Sequence, residues 1–134
     1  MAEVTGGCHC GQIRYAIAGE PLHLAVCNCG DCRKSAGAAQ VAWLAAKTDA
    51  FRVTQGEPAR YSSNGEAERF FCPACGTGLY YLNAAVLPGL VDVQSATLDD
   101  PEAHAPQVQI QTAEKLAWAD SLPGLPQFER YPSG

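Results

Sequence analysis

No apolar run in the 134 residues approaches the length of a membrane span, and the first residues (Met1-Ala2-Glu3-Val4-Thr5) carry no charged-then-apolar leader pattern. Basic charge is scarce as well. With 9 Lys and Arg against 14 Asp and Glu, the formal net charge is −5, which argues against the basic stripe a nucleic-acid surface requires. Internal repeats, low-complexity tracts and linkers are missing, and so is the strand–helix alternation of a βαβ protein. These absences point to a cytoplasmic chain folded as one domain over residues 1–134, with no nucleic-acid and no membrane partner. Homo-oligomerisation is left open. The hydrophobic share of 47% is ordinary for a compact domain.

What the chain does have is cysteine. Its 7 cysteines fall into three tight groups: Cys8 with Cys10, Cys27 with Cys29 and Cys32, and Cys72 with Cys75. The number is odd, and cysteines two or three residues apart are badly placed to bridge each other but well placed to chelate. Metal is therefore favoured over disulfides, divided four plus three. In Cys27-Asn28-Cys29-Gly30-Asp31-Cys32, the sulfurs of Cys27 and Cys29 share a face of an extended chain. Gly30 and Asp31 then let Cys32 swing back to the same point. Three thiolates on one ion leave a fourth tetrahedral position, which distinguishes a catalytic zinc from a structural one. The alternative is a reduced cluster without metal, in which each lone thiol is open to oxidation.

The other two groups complete each other. Gly6-Gly7-Cys8-His9-Cys10-Gly11 is a CxC pair framed by glycines, with His9 facing away from the sulfurs. Cys72-Pro73-Ala74-Cys75-Gly76 is a CxxC-Gly knuckle, in which Gly76 can take a positive φ and turn backbone N–H groups toward sulfur. Cys8, Cys10, Cys72 and Cys75 thus read as a closed four-thiolate site, whose ligands would also suit iron. Arg33 and Lys34 directly follow Cys32 and are the only adjacent basic pair. They read either as contacts for a ligand carboxylate or as solvated surface charges. His23, four residues before Cys27, reads as a neighbour rather than a ligand.

Turn signals and alternation mark strands at residues 12–17, 23–26, 39–46, 51–54, 79–82, 90–94 and 108–111. A hairpin is expected over residues 60–71, turning at Asn64-Gly65. Residues 33–38 read as one helical turn or as an irregular loop. Trp118, Leu122, Leu125 and Phe128, in a Pro-rich tail, are expected to cover one side of the sheet. Many short strands at regular spacing predict an all-β fold.

The order Cys8-His9-Cys10, then residues 27–32, then Phe71-Cys72-Pro73-Ala74-Cys75-Gly76-Thr77 resembles the glutathione-dependent formaldehyde-activating enzyme family. Thr97-Leu98-Asp99-Asp100-Pro101 and the tail from Lys115 through Trp118 to Leu122-Pro123 extend the likeness over nearly the whole chain. The resemblance implies an all-β, Mss4-like sandwich of short antiparallel strands built around two zinc ions per chain. It places a structural zinc on Cys8, Cys10, Cys72 and Cys75 and a second on Cys27, Cys29 and Cys32. It also implies a carbon–sulfur lyase joining or releasing a small thiol such as glutathione and a small aldehyde. A zinc-dependent thiol carrier or protein-interaction module is the alternative. The chain departs from the family's usual pattern at Gly78, where a bulkier residue is common, and at Gln109-Ile110-Gln111, where a His-Ile pair is common.

Overall fold

The computed structural model describes residues 2–62 and 65–132. In chain order it forms β1 (Glu3–Gly7), β2 (Arg14–Ala18), β3 (His23–Cys27), α1 (Gly30–Ala36) and β4 (Val41–Lys47). There follow β5 (Phe51–Gln55), β6 (Ala59–Ser62), β7 (Glu68–Phe71), β8 (Gly78–Leu82), β9 (Leu90–Gln94) and β10 (Val108–Ile110). The expected all-β fold is the observed one. Strands β1-β2-β5 make a small sheet, and β10-β3-β4-β9-β8-β7-β6 a large one. Neighbouring strands run antiparallel except β10, which lies parallel to β3. The strands of the expected hairpin pair as β6 and β7, while Asn64 of its turn lies outside the described residues.

The sheets close on a core in which Ile13, Tyr15 and Ile17 meet Leu24, Leu44, Leu79, Val91 and Val93. Alternation along β9 explains this: Val91 and Val93 turn to the core, while Leu90, Asp92 and Gln94 turn to the opposite face. Residues 33–38 begin as helix rather than loop. Helix α1 ends at Gly37, whose φ of 66° supplies the left-handed cap.

Strand β1 carries no strand signal, because Gly6 and Gly7 occupy two of its five positions. The register explains the glycine. A Cβ at Gly6 would lie 2.3 Å from the Tyr15 hydroxyl and 2.6 Å from the Thr97 carbonyl oxygen. The Thr97-Leu98-Asp99 element locks this close approach. The Tyr15 and Thr97 hydroxyls hydrogen-bond at 2.6 Å, Thr97 donates to the Gln94 carbonyl, and Asp99 accepts from Thr5 and Arg14. The element therefore fastens the small sheet to the end of β9.

The tail departs from expectation. Residues 117–124 form a 3-10 helix, and Trp118, Leu122, Leu125 and Phe128 are each between 43% and 56% exposed. They do not cover the sheet. Among the described residues, no helix is long and apolar enough to cross a membrane.

Candidate metal centres

Cys8 and Cys10 follow the end of β1, and Cys72 and Cys75 follow the end of β7, so each pair hangs from a different sheet. The two turns share a hydrogen-bond pattern. The N–H of Cys8 donates to the carbonyl of Ile13, and the N–H of Cys72 to the carbonyl of Thr77, each five residues on. Gly76, with φ of 82°, closes the second turn by donating to the Cys72 carbonyl at 2.8 Å. The turns bring all four sulfurs within 4.8 Å of one another. The Sγ atoms of Cys8 and Cys10 are 3.6 Å apart, and those of Cys10 and Cys72 3.8 Å. A tetrahedron with metal–sulfur bonds of about 2.3 Å has edges of about 3.8 Å, so the donor set fits a zinc-sized ion.

Backbone N–H groups already point at these sulfurs. Ile13 donates to Cys8 Sγ at 3.2 Å and Cys75 to Cys72 Sγ at 3.4 Å. The Thr77 hydroxyl and N–H hold the Cys75 thiol down to about 5. Such donors favour thiolate, the form a metal binds. His9 is exposed, and its backbone N–H donates to Thr77 Oγ1.

The second cluster is built on one turn. Cys27 ends β3, Cys29 caps α1 by accepting from the Cys32 N–H at 3.3 Å, and Cys32 lies in the first turn of the helix. The expected swing back of Cys32 is thus a helical turn rather than a bend at Gly30 and Asp31. All three sulfurs lie within 4.8 Å of one another. Between them Asn28 is fully buried and clamped. Its side chain donates to the Ile110 carbonyl at 3.0 Å and to Gln109, and accepts from Gln40 at 2.8 Å. Burial, reinforced by the Cys29 sulfur, pushes the Cys32 thiol up to about 12. A cation among the sulfurs reverses that penalty. The donor set of three converging thiols fits a soft divalent metal here too.

Cross-strand register shows what faces this cluster. Cys27 and Ala25 share a face of β3; Ala25 is opposite Trp43, Ala45 opposite Asp92, Asp92 opposite Tyr81, and Tyr81 opposite Arg69. Of these, Trp43, Asp92, Tyr81 and Arg69 line a cavity of about 460 Å³ that includes the three cysteines, with Ile110, Gln111 and Glu114 also in its wall. The Arg69 guanidinium lies over the Tyr81 ring, 4.9 Å from its centre, and its Nη2 is 3.9 Å from Cys32 Sγ. Its Nε is buried with no hydrogen-bond partner among the described residues. Burial pushes the Asp92 carboxyl up, against a smaller opposing pull from His23. Gln111 holds a left-handed φ of 56° at the rim.

Arg33 and Lys34 do not line this cavity. Arg33 donates to the carbonyls of Asn28 and Glu114, at 3.2 and 2.7 Å, and so braces the Cys27–Cys29 turn. Glu114 in turn accepts from the Gly30 N–H. Sequence reading missed Arg69, Asp92 and Asn28. The signal for the first two lies in strand register, and that for Asn28 only in its place between two cysteines.

The comparisons with known proteins agree with one another. A sequence profile described as "Glutathione-dependent formaldehyde-activating enzyme" matches residues 3–114. A protein of Schizosaccharomyces pombe described as an uncharacterized lyase is 33% identical over 126 residues, which cover 78% of this chain and 85% of that one. The crystal structure of a Rhodobacter sphaeroides protein has the same fold, with a TM-score of 0.63 and 24% identity over 78% of this chain and 98% of that one. With both cysteine clusters assembled on this fold and the profile spanning most of its length, the chain belongs to the glutathione-dependent formaldehyde-activating enzyme family.

Proposed function

We propose that this chain is a zinc-dependent carbon–sulfur lyase of the Mss4-like type, acting on the adduct of a glutathione-type thiol and an aldehyde. The observation that carries the reading is the convergence of Cys27, Cys29 and Cys32 under a cavity of about 460 Å³, with no fourth thiol among the described residues near them. In this reading Cys8, Cys10, Cys72 and Cys75 hold a structural zinc, and Cys27, Cys29 and Cys32 hold the second. When bound there, zinc supplies Lewis-acid chemistry that lowers the pKa of an incoming thiol.

The chain's own residues do the rest. Arg69, which lines the cavity and whose Nε has no hydrogen-bond partner among the described residues, holds an anionic group of the thiol or of the adduct. Arg33 and Lys34 then serve the site indirectly, by bracing the turn that carries the cysteines or by adding positive charge near it. In adduct formation the thiol sulfur adds to the carbonyl carbon and the thiol proton ends on the carbonyl oxygen. In the lyase direction the hydroxyl proton leaves, the carbon–sulfur bond breaks and the aldehyde departs. Asp92, which lines the cavity and whose carboxyl pKa burial raises above its usual range, is the group that takes and returns that proton. Trp43 and Tyr81 wall the cavity and limit water at the reacting carbon.

The test is the rate of adduct formation and breakdown from glutathione and a panel of aldehydes. Turnover above the spontaneous rate, lost in Cys29→Ser, supports the lyase. A rate equal to the spontaneous one, with saturable thiol binding, replaces it with a thiol-binding module.

A further inference from the structure

A second cavity, of about 440 Å³, lies beside the first and shares Trp43 and Arg69 with it as walls. Its lining is aromatic. Phe70 and Tyr80 stack face to face, with ring centres 4.5 Å apart and planes 9° from parallel, and Phe71 and Tyr61 add two more rings. Volume and lining match those of sites that take small apolar ligands. Formaldehyde has no substituent to place there.

Two features tie this cavity to the thiol site. Arg69 forms the partition, reaching within 3.9 Å of Cys32 Sγ on one side. On the other, Gly78 leaves room that a side chain would take: a Cβ at that position would lie 2.4 Å from the Gln94 Nε2, and both residues line the cavity. The geometry points to an aromatic or bulky apolar aldehyde as the carbonyl component, its carbonyl carbon at the thiol site and its ring in the second cavity beyond Arg69. This rests on the proposed lyase reading and narrows its substrate class. The reaction is the same addition: the carbon–sulfur bond forms, the thiol proton goes to the aldehyde oxygen, and nothing is oxidised or reduced.

The test compares two non-reacting mimics of the adduct, S-methylglutathione and S-benzylglutathione, by calorimetry on the metal-loaded full chain. S-benzylglutathione is expected to bind about tenfold tighter or more, as burial of a phenyl ring predicts. Gly78→Val, checked for native thermal unfolding, should narrow that ratio by displacing Gln94; Gly78→Ala replaces it if the valine variant does not fold. Benzyl alcohol should shift the amide NMR signals of Gly76 and Gly78, which both line the second cavity. Equal affinity for the two thioethers in the parent protein overturns this inference and leaves the thiol site standing. Benzyl alcohol binding at Gly76 and Gly78 without either thioether supports the aromatic pocket and overturns the lyase reading. No binding of any probe overturns both.

Discussion

The two cysteine clusters offer the same kind of donor, yet they sit differently in the fold. Cys10 and Cys72 are 62 residues apart in sequence, and with Cys8 and Cys75 they join the small sheet to the large one. Cys27, Cys29 and Cys32 lie within one strand-to-helix turn, with Asn28 and Arg33 already holding that turn in shape. Closing the longer loop costs about 2 kcal/mol more entropy than closing the short one, so an ion at the four-thiol cluster removes more disorder from the unfolded chain. Its sulfurs also border the main core, which contains Cys8 and Cys72, whereas Cys27 and Cys32 border a smaller cluster with Val41 and Trp43. On the proposed reading, sequence separation and the neighbouring cavity, rather than thiol number alone, set the role of each site.

The largest effect is expected of Cys75→Ser. Its side chain is exposed, so little packing is lost, yet the variant should lose one metal and about 5 kcal/mol or more of stability, read by metal analysis and thermal unfolding. Cys29→Ser should do the opposite. Serine keeps the cap on α1, so stability should change by less than about 1 kcal/mol while the other metal and S-methylglutathione binding are lost. Equal unfolding of the two variants would show that both clusters support the fold alike.

Within the second site the groups separate further. Asp92→Asn should lower turnover about 100-fold with both metals retained. The parent rate in the lyase direction should rise with pH as Asp92 ionises, above the usual 3.8 because burial raises its pKa, and the variant should lack that rise. Arg69→Gln should weaken binding of S-methylglutathione about tenfold, as expected for losing one charged hydrogen bond, with little change in unfolding temperature. The smallest effect belongs to the fastening of the small sheet. Arg14 and Thr5 hold the Asp99 carboxyl below its usual range, so its contribution is present above about pH 4 and is lost as pH falls through the lowered value. Both partners of the Arg14–Asp99 pair are over a third exposed, so Asp99→Asn should cost less than about 1 kcal/mol and flatten the acid limb of stability.

Much of this was legible in the sequence, because strands announce themselves by alternation and metal ligands by spacing. The four-plus-three grouping of cysteines needed only their intervals. Strand β1 was hidden because its glycines serve a contact with Tyr15 and Thr97, about 10 and 90 residues away, rather than strand propensity. The exposed tail was misread because apolar residues are not all buried, and periodicity does not say which face a partner occupies. Arg33 looked like the cation of the site because it adjoins Cys32, but its guanidinium reaches two carbonyls. Arg69, distant in sequence, faces the cavity because β7 pairs with β8 in a register that no local pattern encodes.

On the proposed function, the cluster of Cys27, Cys29 and Cys32 is the one among the described residues with a position open to a thiol. Cadmium NMR of the cadmium-substituted chain tests it most directly, since each ion reports its own sulfur ligands. Two resonances are expected, of which glutathione moves one and leaves the other in place, with the moving one absent from Cys29→Ser. Two resonances that both stay fixed under saturating glutathione, or that both move, would contradict it.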